Sequence, residues 1–130
     1  MKKQDRKNPF RSIDKILHEP NRTAIMSVLC SSHGGIAFSE LKNECNLTDG
    51  NLSRHLRTLE DASMITIEKK FVGVKPRTTI YITDHGRAHF ISYLKNLEEV
   101  LKAAAGAVAK DSHGELGLDT VSKSILPSMG

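Results

Sequence analysis

Side chains that can hydrogen-bond to the base edges or phosphates of nucleic acid are concentrated near the middle of this 130-residue chain. They stand between Leu52, Leu56 and Leu59, which recur at helical spacing and are expected to form one buried face. The polar residues between the leucines are therefore expected to face outward. They are Asn51, Ser53, Arg54, His55, Arg57 and Thr58.

A helix over residues 48–62 is expected to position these side chains. Thr48 stands where an N-cap belongs and Asp49 lies in the first turn, so both residues favour a helix start here. We include Thr48 among the expected ligand contacts. Taken alone, the pattern fits equally well a structural helix whose charged face is only solvated.

A basic β-hairpin is expected after this helix. Ile65 and Ile67 alternate with polar residues, and the alternation returns at Ile80 and Ile82, as in two strands with one buried face. The turn is expected at residues 73–76. The hairpin residues expected to contact a polyanionic ligand are Lys69, Lys75, Arg77 and Thr79, with Lys70 nearby.

A second, shorter helix is expected in front of the first one, from Phe38 to Cys45. Leu41 points inward in this helix, and Asn46 and Leu47 form a tight connection to Thr48. Two helices joined in this way form a helix-turn-helix. Followed by a basic hairpin, this order is that of a winged helix, which binds duplex DNA.

The remaining segments define a single domain. We expect a basic flexible arm over residues 1–11, a DNA-binding and dimerisation domain over 12–104, and a flexible tail over 105–130, where small and polar residues predominate. The first helix starts at Ser12, and Pro20 ends it and starts the second helix. Residues 36–37 are expected to form a very short strand.

The last helix is expected to form a dimer seam. It starts after Thr83, and its apolar residues then recur at spacings of four and three, as in a coiled coil. The alternative is that these residues pack on their own domain. The residues of this seam are Phe90, Leu94, Leu97 and Leu101.

Charge and composition agree with a nucleic-acid ligand in the cytoplasm. The formal net charge is +4, and residues 106–130 contribute −1, so the positive charge belongs to the domain. Composition is that of a globular protein, with 38% hydrophobic residues. No segment is apolar enough for a membrane span, and residues 1–10 lack the apolar centre of a signal peptide.

The chain resembles winged-helix transcriptional regulators of the ArsR and MarR type. The resemblance covers most of residues 12–101 and rests on four segments: HEPNRTAIMSVL (18–29), FSELKNECNLTDGNLSRHLRTLEDASMITIEK (38–69), VKPRTTIYIT (74–83) and TDHGRAHF (83–90).

The resemblance implies a fold, a ligand and an interface. The fold would be mainly α with a small β-hairpin, and its long C-terminal helix would mediate dimerisation. Asn51, Ser53, Arg54 and Arg57 would approach the major groove and its phosphates, and Arg77 the adjacent backbone or minor groove. The first helix would join the dimer seam through Ile13, Ile16 and Leu17.

Other kinds of site have weak support in the sequence. Cys30 and Cys45 are single cysteines in different segments. His85 and His89 could share a metal with Asp84, but no second histidine with a nearby carboxylate recurs at the spacing of a sensor site, so we expect no metal site and no cofactor. We find no nucleophile motif and no phosphate-binding loop, so we expect no enzymatic activity. The resemblance leaves room for an unidentified small-molecule effector.

The sequence therefore predicts a dimeric, sequence-specific regulator that binds double-stranded DNA and represses transcription. The alternative is a winged-helix module that binds another protein in a larger transcription or assembly complex. That alternative requires exposed apolar residues on helix 48–62, whereas the residues expected there are polar.

Overall fold

The computed structural model describes residues 14–111, which contain four helices and three strands. The chain divides between Tyr93 and Leu94, so residues 14–93 form one compact unit and residues 94–111 belong to a second. In chain order the elements are α1 (Pro20–Cys30), β1 (Ile36–Ala37), α2 (Phe38–Cys45), α3 (Asp49–Asp61), β2 (Ile65–Val72), β3 (Lys75–Ile82) and α4 (Asp84–Asp111).

Helix α1 supplies one wall of the core of the first unit. It begins at Pro20, whose missing N–H costs nothing in the first turn, and Glu19 accepts a hydrogen bond from the backbone N–H of Arg22 at 2.9 Å. The residues that α1 buries are Ile25, Met26 and Leu29.

Helices α2 and α3 form the expected helix-turn-helix. Asn46 ends α2 in the left-handed conformation with φ of 55°, and the N–H of Leu47 then bonds to the carbonyl of Lys42 at 3.0 Å. Thr48 caps α3 by accepting a hydrogen bond from the N–H of Asn51 at 3.2 Å. The predicted bounds of α2 and the predicted cap of α3 are both confirmed.

The three strands form an antiparallel sheet in the order β1-β3-β2. The short strand predicted at residues 36–37 pairs with β3, with Ile36 opposite Ile80. The turn between β2 and β3 is shorter than residues 73–76: it contains only Gly73 and Val74, because Lys75 already pairs with Val72. Gly73 has φ of 66°, which glycine adopts without steric cost.

Thr83 joins the sheet to α4 and confirms the predicted start of that helix. Its hydroxyl donates to the carbonyl of Ser63 at 2.8 Å and accepts from the backbone N–H of Gly86 at 2.8 Å, while its own N–H donates to the carbonyl of Met64 at 3.0 Å. A Cβ atom at Gly86 would overlap the carbonyl of Met64. This close approach requires glycine.

The prediction of a first helix from Ser12 is wrong for the part that the structure describes, because residues 15–17 form only a turn. The carboxylate of Asp14 accepts the backbone N–H groups of Ile16 at 2.8 Å and Leu17 at 3.0 Å. The Asp14 side chain thus satisfies the backbone N–H groups of this segment, as Asp side chains do in turns. Ser12 and Ile13 lie outside the described residues.

The tail predicted from residue 105 begins too early, because α4 continues to Asp111. Alanines favour the helix here, and Gly106 costs only about 1 kcal/mol relative to alanine, too little to end it. The expected arm and the rest of the expected tail lie outside residues 14–111. Within that range, no helix combines the length and the apolar character needed to cross a bilayer.

Candidate nucleic-acid interface

The outer face of α3 presents polar side chains to solvent. Asn51, Ser53, Arg54 and Arg57 are all exposed, as predicted. Arg54 and Arg57 are three residues apart and therefore lie on the same side of the helix. The guanidinium of Arg54 donates to the side-chain oxygen of Asn51 at 3.3 Å, a long contact that can be exchanged for a ligand.

The prediction that His55 faces outward is wrong. Its side chain is 3% exposed, because residue 55 follows Leu52 by three positions and precedes Leu59 by four, which places it on the core face of α3. Burial lowers the pKa of His55, and the nearby charge of Glu19 opposes this effect. Among the described residues, none forms a hydrogen bond with its Nδ1 atom.

The register of the hairpin brings three cations to one face. Lys70 lies directly opposite Arg77, and Lys75 precedes Arg77 by two residues on the same face of β3. All three side chains are exposed. Like charges directly opposite each other destabilise a hairpin, so this arrangement favours a bound anion between them. We call Lys70, Lys75 and Arg77 the basic face.

Lys69 does not belong to the basic face. It pairs with Thr78, and both project to the side of the sheet that carries Ile67 and Ile80. Thr79 is on the same side of β3 as Arg77, but it is half-buried and lies close to Gly35. Of the four predicted hairpin contacts, the structure thus brings Lys75, Arg77 and Thr79 to one side and separates Lys69.

Lys70 belongs to the basic face, although the sequence placed it only near the predicted contacts. The sequence did not specify the strand register, which decides the face on which Lys70 lies. A shift of one residue moves a side chain to the other face. Glu68 is two residues away on the same side of β2; its carboxylate lies 3.6 Å from Lys70 and accepts a hydrogen bond from Tyr81 at 3.2 Å. It therefore offsets part of the positive charge near the base of the hairpin.

A salt bridge connects the two helices of the helix-turn-helix. Lys42 Nζ of α2 lies 2.9 Å from a carboxylate oxygen of Asp49 in the first turn of α3. The pair is largely exposed, so its contribution to stability is small. The carboxylate of Asp49 is nevertheless neutralised near the start of α3, which reduces its repulsion of an approaching phosphate.

Two of the expected dimer residues belong to the core of the first unit. Leu17 is fully buried and Phe90 is 3% exposed, so neither side chain is available to a second subunit, and these two predictions are wrong. The helical spacing that assigned Phe90 to the seam does not show whether a residue packs on its own domain or on a second subunit. The half-buried members are Ile16, Leu94, Leu97 and Leu101, and Ile13 lies outside the described residues.

No group of three or more His, Cys, Asp or Glu side chains within residues 14–111 is placed to hold a metal ion. Burial raises the pKa of the thiols of Cys30 and Cys45.

His89 lies 2.5 Å from the carboxylate of Asp14. Burial opposes ionisation of Asp14, but His89 and the two backbone donors outweigh it and lower the pKa of the carboxyl.

A shallow groove of about 610 Å³ lies beside α1 and α2. Its lining is largely polar, whereas pockets for small molecules are usually lined mostly by apolar side chains. The effector therefore stays a prediction. The lining residues include Ser27, Ser31, Ser32, His33, Glu40 and Glu44.

The folded chain resembles known proteins in both sequence and structure. The family described as winged helix DNA-binding domain matches residues 21–101. An uncharacterized protein of Methanocaldococcus jannaschii is 37% identical over 65 residues, which cover 50% of this chain and 71% of that protein.

Two solved structures extend the comparison. The transcriptional regulator homologue protein from Pyrococcus horikoshii OT3 is 31% identical with a TM-score of 0.66, and the match covers 78% of this chain and 97% of that one. A MarR family transcriptional regulator from Silicibacter pomeroyi is 15% identical with a TM-score of 0.55, over 98% and 84% of the two chains. At 15% identity the likeness concerns the fold.

Proposed function

Because the chain belongs to the winged helix DNA-binding domain family and has the fold of MarR-type transcriptional regulators, we propose that it is a dimeric repressor that binds a specific duplex-DNA sequence. The observation that supports this most directly is the exposed polar face of α3 next to a hairpin with three exposed cations on one face. An α-helix fits the major groove of B-DNA, where each base pair shows a distinct pattern of donors and acceptors.

Affinity and specificity are assigned to different elements. The basic face of the hairpin binds phosphates, which contributes affinity for any sequence and makes binding dependent on salt. The side chains of α3 read the bases: Arg54 can donate two hydrogen bonds to guanine, and Asn51 can pair with adenine. Ser53 and Arg57 position the helix on the flanking backbone.

A homodimer would place two α3 helices in successive major grooves, about 34 Å apart. The half-buried leucines of α4, Leu94, Leu97 and Leu101, are the proposed contact between subunits. A dimer on DNA represses by occupying the site that RNA polymerase needs. Since its ligand is chromosomal DNA, we assign the protein to the cytoplasm of a bacterial or archaeal cell.

Selection from a random duplex library tests this function. We expect the wild-type chain to enrich a two-fold symmetric sequence, and the double variant Arg54→Ala/Arg57→Ala to enrich none. The matched control is Lys95→Ala/Lys102→Ala, which removes two positive charges from α4 and should enrich the same sequence as the wild type. Loss of enrichment in both variants would mean that only total charge matters; no enrichment by the wild type would refute sequence-specific binding.

The protein-interaction alternative has no support on α3, whose exposed residues are polar. This alternative predicts that, at physiological salt, the wild-type chain binds duplex DNA no better than a basic protein that has no sequence preference. The same selection therefore separates the two functions.

A further inference from the structure

The tip of the hairpin carries an unusual concentration of exposed apolar side chains. Val74 is 92% exposed, Phe71 72% and Val72 61%. They account for three of the five large hydrophobic residues that are exposed within residues 14–111. Single exposed apolar residues are common on protein surfaces, whereas several together mark a surface that binds something.

The strand register defines how these side chains are arranged. Phe71 lies opposite Pro76 on one side of the hairpin, Val72 lies opposite Lys75 on the other, and Val74 occupies the turn. Each side of the tip therefore carries one exposed apolar side chain of β2, and Val74 lies at its end. Four exposed cations flank it: Lys70, Lys75 and Arg77 on the side of Val72, and Lys69 on the side of Phe71.

The hairpin projects far enough for this tip to act away from the domain core. The last cross-strand pair that also adjoins β1 is Glu68 with Thr79, and four further pairs follow, ending at Val72 with Lys75. At about 3.3 Å per residue, these pairs extend the hairpin by about 13 Å. The minor groove of B-DNA is about 7.5 Å deep, so the tip is long enough to reach its floor.

Charge complementarity indicates which partner covers this apolar tip. Cations on both sides of an apolar tip fit a ligand with anionic edges and apolar surface between them. The DNA minor groove can supply both, because phosphates line its rims, deoxyribose forms its walls, and the apolar faces of the bases become accessible when a base step opens. Proteins that bind there frequently insert apolar side chains between base steps and bend the duplex.

We propose that the tip formed by Phe71, Val72 and Val74 is a wedge that enters the minor groove and bends the DNA. This inference rests on the proposed DNA-binding function and deepens it. The basic face holds phosphates on one side of the hairpin and Lys69 can hold one on the other, while the apolar side chains open the groove. The wedge adds a preference for easily unstacked steps such as TA or CA, which the protein reads through deformation rather than through hydrogen bonds.

Two double variants of equal charge test the wedge. Phe71→Thr/Val74→Thr replaces the apolar groups by polar ones, and Phe71→Ile/Val74→Ile is the matched control that keeps them apolar. Threonine and isoleucine both favour the strand at position 71, and both are β-branched like the Val74 they replace in the turn. Both positions are exposed, so thermal unfolding should match the wild type in each case. The probe is a duplex of about four helical turns, obtained by selection with the wild-type protein and labelled at its ends with a donor and an acceptor fluorophore.

We expect the wild type and the isoleucine variant to bend the duplex, seen as increased energy transfer between its ends. The threonine variant should bind about tenfold more weakly and should lose most of the increase. Its slope of log affinity against log salt should remain that of the wild type, because no charge has changed.

Equal bending and affinity in the threonine and wild-type proteins would overturn the wedge, as would binding by the wild type without any bend. In either case the apolar tip would face another partner. If the wild type does not bind duplex DNA at all, the proposed function fails before any variant is compared, so the two failures are distinguishable.

Discussion

The buried imidazole of His55 connects α3 to the pH dependence of folding. Burial holds its pKa in the folded chain below the ordinary value near 6.5, so the unfolded chain binds more protons between these two values. The stabilisation that neutral His55 contributes is therefore complete above about pH 6.5. It is lost as the pH falls from that value through the lowered pKa of the folded chain.

We predict that His55→Gln flattens this part of the stability profile. Urea unfolding at about pH 7.5 and about pH 5, on either side of the ordinary histidine pKa, should show a smaller decrease in unfolding free energy for the variant than for the wild type. His33→Gln, which removes an exposed histidine, is the control and should retain the wild-type decrease. Identical pH dependence in the wild type and His55→Gln would contradict the burial effect.

Arg54 and Arg57 are expected to act by different routes, although both are exposed on the same side of α3. Arg54 lies nearer the helix start, where recognition helices contact base edges, and Arg57 lies about one turn further along. Arg54→Ala should cost about 1 to 3 kcal/mol on the best site and less on random DNA. Arg57→Ala should weaken both similarly. Fluorescence titrations with the two duplexes measure this, and equal losses for Arg54→Ala would exclude a base contact.

Among the elements, the hairpin has a cross-strand pair that is unfavourable in the free protein. Lys70 and Arg77 face each other, and binding of phosphates would offset their repulsion. Lys70→Ala/Arg77→Ala should reduce the slope of log affinity against log salt by about 1.8, which corresponds to two phosphate contacts. Thermal stability should stay equal or rise. If the slope stays unchanged while Lys95→Ala/Lys102→Ala alters it, the basic face does not bind the backbone.

The junction between β2 and α4 depends on a glycine. A methyl group at Gly86 would overlap the backbone carbonyl of Met64, which also accepts the N–H of Thr83 and cannot move freely. Gly86→Ala should therefore destabilise the fold by about 1 to 3 kcal/mol. Gly106→Ala in the same helix has open space around it and should stabilise by about 1 kcal/mol. Thermal unfolding that gives the same sign for both would contradict this packing.

For the whole molecule, the proposed dimer can be separated from folding at Leu97. This residue is half-buried in the single chain, so a carboxylate there can remain solvated in the monomer but would be buried in a dimer seam. Leu97→Glu should yield a folded monomer by sedimentation. Its affinity for a symmetric site should fall by at least about a hundredfold, because both half-sites must be held together.

The matched control for this variant is Ser92→Glu, which adds one carboxylate at an exposed position of α4. It should remain dimeric. A Leu97→Glu protein that sediments as a dimer and still binds the symmetric site would show that the interface lies elsewhere.

Local signals in the sequence determined most of the fold. The apolar spacing of Leu52, Leu56 and Leu59, the cap at Thr48 and the proline at residue 20 act within a few residues of the structure they define, so the helix-turn-helix could be predicted with its bounds. The exposed face of α3 followed from the same periodicity. His55 was predictable too, since its spacing from Leu52 and Leu59 places it on the core face.

Only the tertiary structure decided which surfaces are shared and which are free. The pairing of Lys70 with Arg77 depends on a strand register set by the length of the turn, and one residue of shift would exchange the two faces. Phe90 has the spacing of a seam residue and the family resemblance placed Leu17 beside the seam, but burial depends on what packs against a side chain, and neither signal specifies that neighbour. The exposure of Phe71 has the same origin: an apolar side chain on a strand lies in the core only where the rest of the domain reaches it.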